Sequence, residues 1–282
     1  MIEVFRIPVP KAKLAAMPPA ERVLLLLITH AVNQLTTLMR LLIFSTNHET
    51  SNELENTLSA AQSQAILRFL FGTVSESWEM LRRPENQNLI GTDYIQLMPA
   101  AGVESYKKLK KLFGKSNFLH RIRNNLVFHF PCPETVEAAF SEVPDDQDWA
   151  WYASTTYSNS FYLASDYIIS AGIIKETGEP DVAMAFCRVM DEVMLAADKL
   201  TDFCSHLAKA MIARHLDAAL LSPKRGSGTK IHSAPRLKSV SIPFFTIDDR
   251  LSRSGVASGR LSYFITAPVI GHREPQADSQ NS

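Results

Sequence analysis

Cysteine is scarce: three residues in 282, at positions 132, 187 and 204, with no Cys-x-x-Cys among them. The odd count and wide spacing argue against a disulfide framework and against a thiolate zinc site. Cys187 and Cys204 fall at helical positions and read as small core residues. An excess of charge is also missing, since 29 basic residues face 29 acidic ones. No global field therefore drives the chain toward nucleic acid or a membrane. The most apolar stretch, residues 23–44, is interrupted by His30, Asn33, Gln34, Thr36, Thr37 and Arg40, too many polar groups for a membrane span. The first ten residues lack the layout of a secretion signal. These absences predict a cytoplasmic protein without a membrane partner. Common catalytic signatures are missing too: no Gly-x-Ser-x-Gly and no His-Glu-x-x-His occurs. Gly226-Ser227-Gly228-Thr229-Lys230 lacks the spacing, the preceding strand and the following helix of a phosphate loop. His206 and His215 have no carboxylate at ligand spacing and read as ordinary helix residues. No metal and no cofactor are expected.

What is present is helical periodicity. Residues 1–10 alternate and then meet prolines, giving a short edge strand or an extended arm, the arm reaching to residue 17. Pro18-Pro19 opens a helix to about position 45, because proline suits a first helical turn. Its apolar residues cover most of its circumference, so a central, heavily buried helix is expected, with His30, Asn33 and Gln34 as a buried polar layer. Thr50-x-x-Glu53 has the form of a capping box before a second long helix. In that helix Leu54, Leu58, Ala61, Ala65, Phe69 and Gly72 step by three or four and predict its buried stripe. Arg82-Arg83-Pro84 reads as its stop, and residues 85–99 as a polar loop turning at Gly91. Further helices are expected at about 101–113, from 116 or 117 through 128, as a short turn at 134–140, and at 161–175. A short strand is expected at 149–154. From Pro180 the longest helix begins. Val182, Phe186, Val189, Val193, Ala196, Leu200, Phe203, Leu207 and Ala210 recur with alternating spacings of four and three, a heptad seam. About 40 residues at ~1.5 Å each would span ~60 Å, long enough to bend or to pack on another subunit. Composition shifts after Leu221. Residues 222–282 carry nine Lys/Arg against four Asp/Glu, a net of +5, and leave −5 on the preceding part. They read as a basic, largely flexible tail, with an extended segment at 239–247 able to dock.

One segment carries readable chemistry: Arg123-Asn124-Asn125-Leu126-Val127-Phe128-His129. Leu119, Ile122 and Leu126 make a buried face, and Pro131 and Pro133 stop the helix. Arg123 and His129 lie six residues apart, about 120° round a regular helix and ~9 Å along it. They meet only through the long arginine side chain, a frayed last turn or a two-fold partner.

The segment resembles the HEPN superfamily, whose signature is an Arg, commonly a polar residue such as Asn, four to six intervening positions, and a His. Here five positions intervene, and Asn124 follows Arg123. Phe128-His129-Phe130 is similar to the aromatic-His-aromatic ending of bacterial members. The likeness in architecture covers roughly residues 20–221. It implies an all-α, up-and-down helical bundle over residues 18–221 and leaves the tail outside. It also implies a homodimer with a composite, metal-independent ribonuclease site, in a toxin- or defence-like role with an antitoxin-type protein partner. In such a site His129 would exchange the protons. Arg123 would hold the phosphate and the charge that develops on it, and Asn124 would orient either. Glu76, near the end of the second long helix, matches an acidic position found in such proteins. Asn33 is a second supporting candidate.

Upstream lies the densest basic cluster, Lys107-Lys108-x-Lys110-Lys111, followed by Arg121, a candidate guide for an RNA backbone. Trp149, Trp151, Tyr152, Tyr157 and Tyr162 suit packing over the bundle end better than base stacking. Each of these features also has a plain packing or solvation explanation: His129 before a helix stop satisfies terminal carbonyls, and the cations lie on a solvated face. The rival to an RNA-binding protein is a non-catalytic helical protein whose heptad seam builds an oligomer.

Overall fold

The computed structural model describes residues 2–7, 9–47, 50–114, 133–141, 143–154, 159–179, 182–217 and 228–247. The chain is mostly helical. In order it forms strand β1 (Ile2–Phe5), helices α1 (Lys11–Ala15), α2 (Pro19–Thr46), α3 (Glu53–Arg82), α4 (Pro84–Leu89) and α5 (Ala100–Leu112). Helix α6 (Pro133–Ser141), strands β2 (Trp151–Tyr152) and β3 (Phe161–Tyr162), and helices α7 (Leu163–Thr177) and α8 (Val182–Ile212) follow, then strand β4 (Gly228–Ile231). The core is built where α2, α3 and α5 pack on α8, and α6 packs on α7 beside it.

Helix α8 is the spine, and the heptad seam explains why. Val189, Val193, Ala196, Leu200, Phe203, Leu207 and Ala210 are all buried inside the chain. Ala185, Ala197, Cys204, Ala208 and Met211 are buried beside them, so the apolar stripe is wider than a two-stranded seam requires. From Val189 to Ala210 the seam is thus used within the chain. The helix has 31 residues, spanning about 46 Å at ~1.5 Å each, and continues into a wider π-type turn, Ala213–Asp217. Cys204 belongs to the core, whereas Cys187, expected there, is exposed.

Helix α2 begins on Pro19 as its proline pair predicts. Leu24, Leu25, Ile28, Ala31, Leu35 and Leu42 face inward. Val23, Leu26 and Leu27 are exposed, as are His30, Asn33 and Gln34. The expected buried polar layer is therefore absent: at 100° per residue these three positions lie opposite Ile28 and Leu35. Among the described residues α2 is long and apolar enough, by length and composition, to cross a membrane.

Helix α3 starts two residues later in mechanism than its sequence suggests. Asn52, not Thr50, is the cap: its side chain accepts hydrogen bonds from the Leu54 and Glu55 amides at 3.0 and 3.3 Å. Its buried face runs through Leu58, Leu67, Leu70, Phe71, Val74, Trp78 and Leu81, leaving Phe69, expected inside, 65% exposed. Pro84 ends α3 and simultaneously opens α4 as a first-turn residue. The stretch expected as a loop is thus helical, with a π-type turn at Ile90–Tyr94 and a short 3-10 turn at Ile95–Leu97. Ile90 and Tyr94 are fully buried and anchor it.

Two small antiparallel pairs complete the fold. β1 pairs with β4, Ile2 opposite Ile231 and Phe5 opposite Gly228. β2 pairs with β3, with Trp151 opposite Tyr162. Residues 237–247 lie along the bundle: the Ile242 amide donates to the Phe44 carbonyl at 3.2 Å, and Asn47 Nδ2 donates to the Val240 carbonyl at 3.0 Å. Asn159 and Thr246 exchange two further bonds. The helix expected through position 128 and the tail beyond 247 lie outside the described residues.

Candidate functional site

Helix α5 presents the basic cluster. Gly102, Ser105, Tyr106 and Leu109 turn inward, and Phe113 follows them. Gly102 permits a close approach to α8: a Cβ there would stand 2.8 Å from His206 Cβ. With that side fixed in the core, Lys107, Lys108, Lys110 and Lys111 are forced to solvent, and all four are exposed. Lys110 Nζ lies 4.4 Å from the centroid of the Tyr106 ring, a cation–π contact. Lys110 and Lys111 occupy the last turn, where cations suit the helix dipole. Among the described residues no carboxylate forms an ion pair with any of the four.

Arg121, Arg123, Asn124 and His129 lie outside the described residues. Glu76 is exposed on α3 and Asn33 is exposed on α2. No hydrogen bond or ion pair joins these two to each other or to the α5 lysines among the described residues. The aromatic group divides. Trp149 packs between Phe140 and Tyr167, with centroids 6.2 and 6.0 Å apart. Trp151 and Tyr162 stack on each other across β2 and β3 at 5.2 Å, and both are about half exposed.

A cluster that sequence reasoning passed over joins Glu21, Tyr94 and His215. Glu21 sits in the first turn of α2, Tyr94 in the turn after α4, and His215 in the π-type turn after α8. Tyr94 Oη donates to Glu21 Oε2. His215 Nε2 lies 2.6 Å from the same carboxylate oxygen and 3.1 Å from Tyr94 Oη. Arg214 stacks over the Tyr94 ring at 5.3 Å and approaches Asp93 at 3.6 Å. Burial alone would raise the Glu21 pKa, but hydrogen bonds from Tyr94 and His215, with the charges of His215 and Arg214, hold it below the usual carboxylate value. Burial, then the bond to the Glu21 carboxylate, pushes the Tyr94 phenol upward. Tyr94 is fully buried and Glu21 is 7% exposed. A carboxylate and an imidazole so enclosed act as a bolt between three elements. The sequence separations, 73, 121 and 194 residues, leave no local signal that would have revealed it.

Burial also pushes the Cys204 thiol up to about 12, so this residue is a core filler and not a nucleophile. Among the described residues no group of three His, Cys, Asp or Glu side chains is placed to hold a metal ion. Comparison with protein-family models, curated proteins and solved structures finds no match.

Proposed function

We propose that this is an RNA-binding helical protein of the HEPN kind, an up-and-down bundle whose Arg123 and His129 cleave RNA without a metal ion. The observation that supports it best is the α5 face: four lysines held outward by a buried opposite side, with no carboxylate paired to them among the described residues. Clustered like charges with no ion-paired carboxylate among the described residues favour a polyanionic partner, since phosphates release counterions when they meet lysine. The chain runs from this helix directly into Arg121 and Arg123.

The chemistry of the pair follows from its residue types. An imidazole takes the proton of a ribose 2′-OH as that oxygen attacks the adjacent phosphorus. The bond from phosphorus to the 5′-oxygen breaks, and that oxygen receives a proton. The products are a 2′,3′-cyclic phosphate and a 5′-hydroxyl. The Arg123 guanidinium binds the phosphate oxygens as their charge develops, and Asn124 orients the pair. A homodimer would supply the second Arg and His, and an antitoxin-type protein partner belongs to the same reading.

A second reading keeps the helical protein but removes the catalysis, making it an interaction module. Its supporting feature is the exposed apolar patch of Val23, Leu26 and Leu27 on α2, not the heptad seam, which the core already occupies.

RNA binding separates the two. On a single-stranded RNA, the logarithm of affinity should fall with the logarithm of salt. Replacing Lys107, Lys108, Lys110 and Lys111 by Gln should weaken binding and flatten that slope by ~0.7 for each lysine that contacts a phosphate. An affinity and slope unchanged by the fourfold replacement would remove α5 from the interface. Replacing Val23, Leu26 and Leu27 by Ser should leave RNA affinity as it was.

A further inference from the structure

Charge is balanced over the whole chain but sorted into blocks in its middle. Residues 105–130 hold seven Lys/Arg and no Asp/Glu, and residues 131–174 hold seven Asp/Glu and no Lys/Arg. The first block includes most of α5 with its four exposed lysines, and the second includes α6, β2, β3 and most of α7. Helix α5 packs on α8, while Asp166 of the acidic block pairs with Arg68 on α3. Among the described residues no ion pair joins one block to the other.

The acidic block is one local unit. Helix α6 packs on α7, and Trp149 sits between Phe140 and Tyr167 from those two helices. Four carboxylates of this unit face solvent. Glu137 lies on α6, Asp145 and Asp146 lie in a turn closed by the Gln147 amide on the Pro144 carbonyl at 3.0 Å, and Asp148 comes just before β2. None of the four is ion-paired among the described residues. The β2–β3 ribbon beside them has two unlike faces. Tyr152 and Phe161 are partly buried on one, with Phe161 edge-on to Phe244 at 5.7 Å. Trp151 and Tyr162 stack on the other and are 51% and 54% exposed. The inward positions of the ribbon are thus filled, and two large rings remain at the surface next to uncompensated carboxylates.

That combination selects a partner. Carboxylates repel phosphate, so the rings are no stacking platform for RNA. A purely apolar partner would strip water from the carboxylates without repaying it. Ammonium groups satisfy both features, since they pair with carboxylates and are drawn to the faces of aromatic rings. The described residues contain a matching surface, the lysines of α5. We propose that α5 of one copy docks on the acidic aromatic face of a second copy. Lys107, Lys108, Lys110 and Lys111 are set against Glu137, Asp145, Asp146 and Asp148, with an ammonium over the Trp151–Tyr162 stack. Each chain carries both halves. One contact repeated gives a ring or a filament, and two reciprocal contacts give a dimer. The inference needs no RNA cleavage, and its test reads none.

The full chain, freed of nucleic acid by nuclease, is followed by analytical ultracentrifugation over a concentration series in low and high salt. Its mass should rise above that of the monomer with concentration and return toward it in high salt, where exposed charges are screened. Changing the four α5 lysines to Glu should abolish association, and so should changing Glu137, Asp145, Asp146 and Asp148 to Lys. Mixing the two charge-reversed chains should restore it, because the first keeps the acidic face and the second keeps the lysines. Trp151→Ala with Tyr162→Ala should weaken it about two- to fivefold, the worth of an exposed cation–π contact. All these positions are at the surface, and circular dichroism checks that each variant folds. A parent chain that stays monomeric at every concentration and salt overturns the proposal without any variant. So does association that disappears on nuclease treatment, which would assign the lysines to nucleic acid. So does association that survives both reversals, or a mixture of the folded reversed chains that remains monomeric.

Discussion

Glu21 is a buried carboxylate whose ionised form is favoured by its neighbours, and that ties folding to pH. Its folded pKa lies below the unfolded value. The stabilisation it gives is therefore present above the unfolded pKa and is lost as pH falls through the folded one. Glu21→Gln should lower Tm at neutral pH, and the gap to the parent chain should close as acid protonates Glu21. A gap constant across the acid range would mean the carboxylate charge is irrelevant. Tyr94→Phe removes the phenolic donor from the same oxygen and should cost about 1–3 kcal/mol in denaturant unfolding, the range for a buried group left short of a partner. Residues of this kind could not be read in advance. The lysines of α5 could, because Tyr106 and Leu109 set which side faces inward within one turn. The bolt of Glu21, Tyr94 and His215 could not, because its members are drawn together only by the packing of α2, the turn after α4 and the end of α8.

Elements were legible in proportion to the length of their periodicity. The bounds of α2 and α5 follow from proline starts, a glycine after α5 and long apolar stripes, whereas α8, expected over about 40 residues, is regular over 31 and passes into a π-type turn. The segment at 85–99 is helical where a loop is expected, because Pro84 is more than a stop. A proline at that place also has the backbone angle of a first helical turn, so one helix ends and another begins on it. The cap of α3 lies two residues further on because Thr50 Oγ1 accepts from the Asn52 amide, while Asn52 takes those of Leu54 and Glu55. Of the stripe expected for α3, Leu58, Ala61 and Gly72 are buried, while Phe69 turns out because the inward face there passes through Leu70 and Phe71. The contact between α5 and α8 supplies a test at this scale. Gly102→Ala places a methyl group 2.8 Å from His206 Cβ, an atom close to the backbone that cannot swing aside. The two helices must separate, and the loss should be about 1–3 kcal/mol, typical of overpacking. Double replacement with His206→Gly should restore much of the spacing. An unaltered stability in Gly102→Ala alone would show that the helices do not approach so closely.

At the scale of the molecule, the mainly helical class was readable from composition and periodicity. The partition of apolar surface was not. A heptad seam looks the same whether a neighbouring helix comes from the same chain or another, and here α2, α3 and α5 provide the neighbours. Conversely, the apolar residues of α2 suggested burial all round, yet Val23, Leu26 and Leu27 remain at the surface. The segment from Arg123 to His129, an arginine, an asparagine and a histidine before a proline, lies outside the described residues.

The most direct test of the account is incubation of the purified chain with mixed RNA in the presence of a chelator, followed by analysis of fragment ends. Cleavage should leave 2′,3′-cyclic phosphate and 5′-hydroxyl ends. It should fall ~10²–10⁴-fold in His129→Ala and comparably in Arg123→Ala, with circular dichroism and Tm unchanged in both. Intact RNA after incubation with the parent chain, or fragments whose formation survives both substitutions, would contradict it.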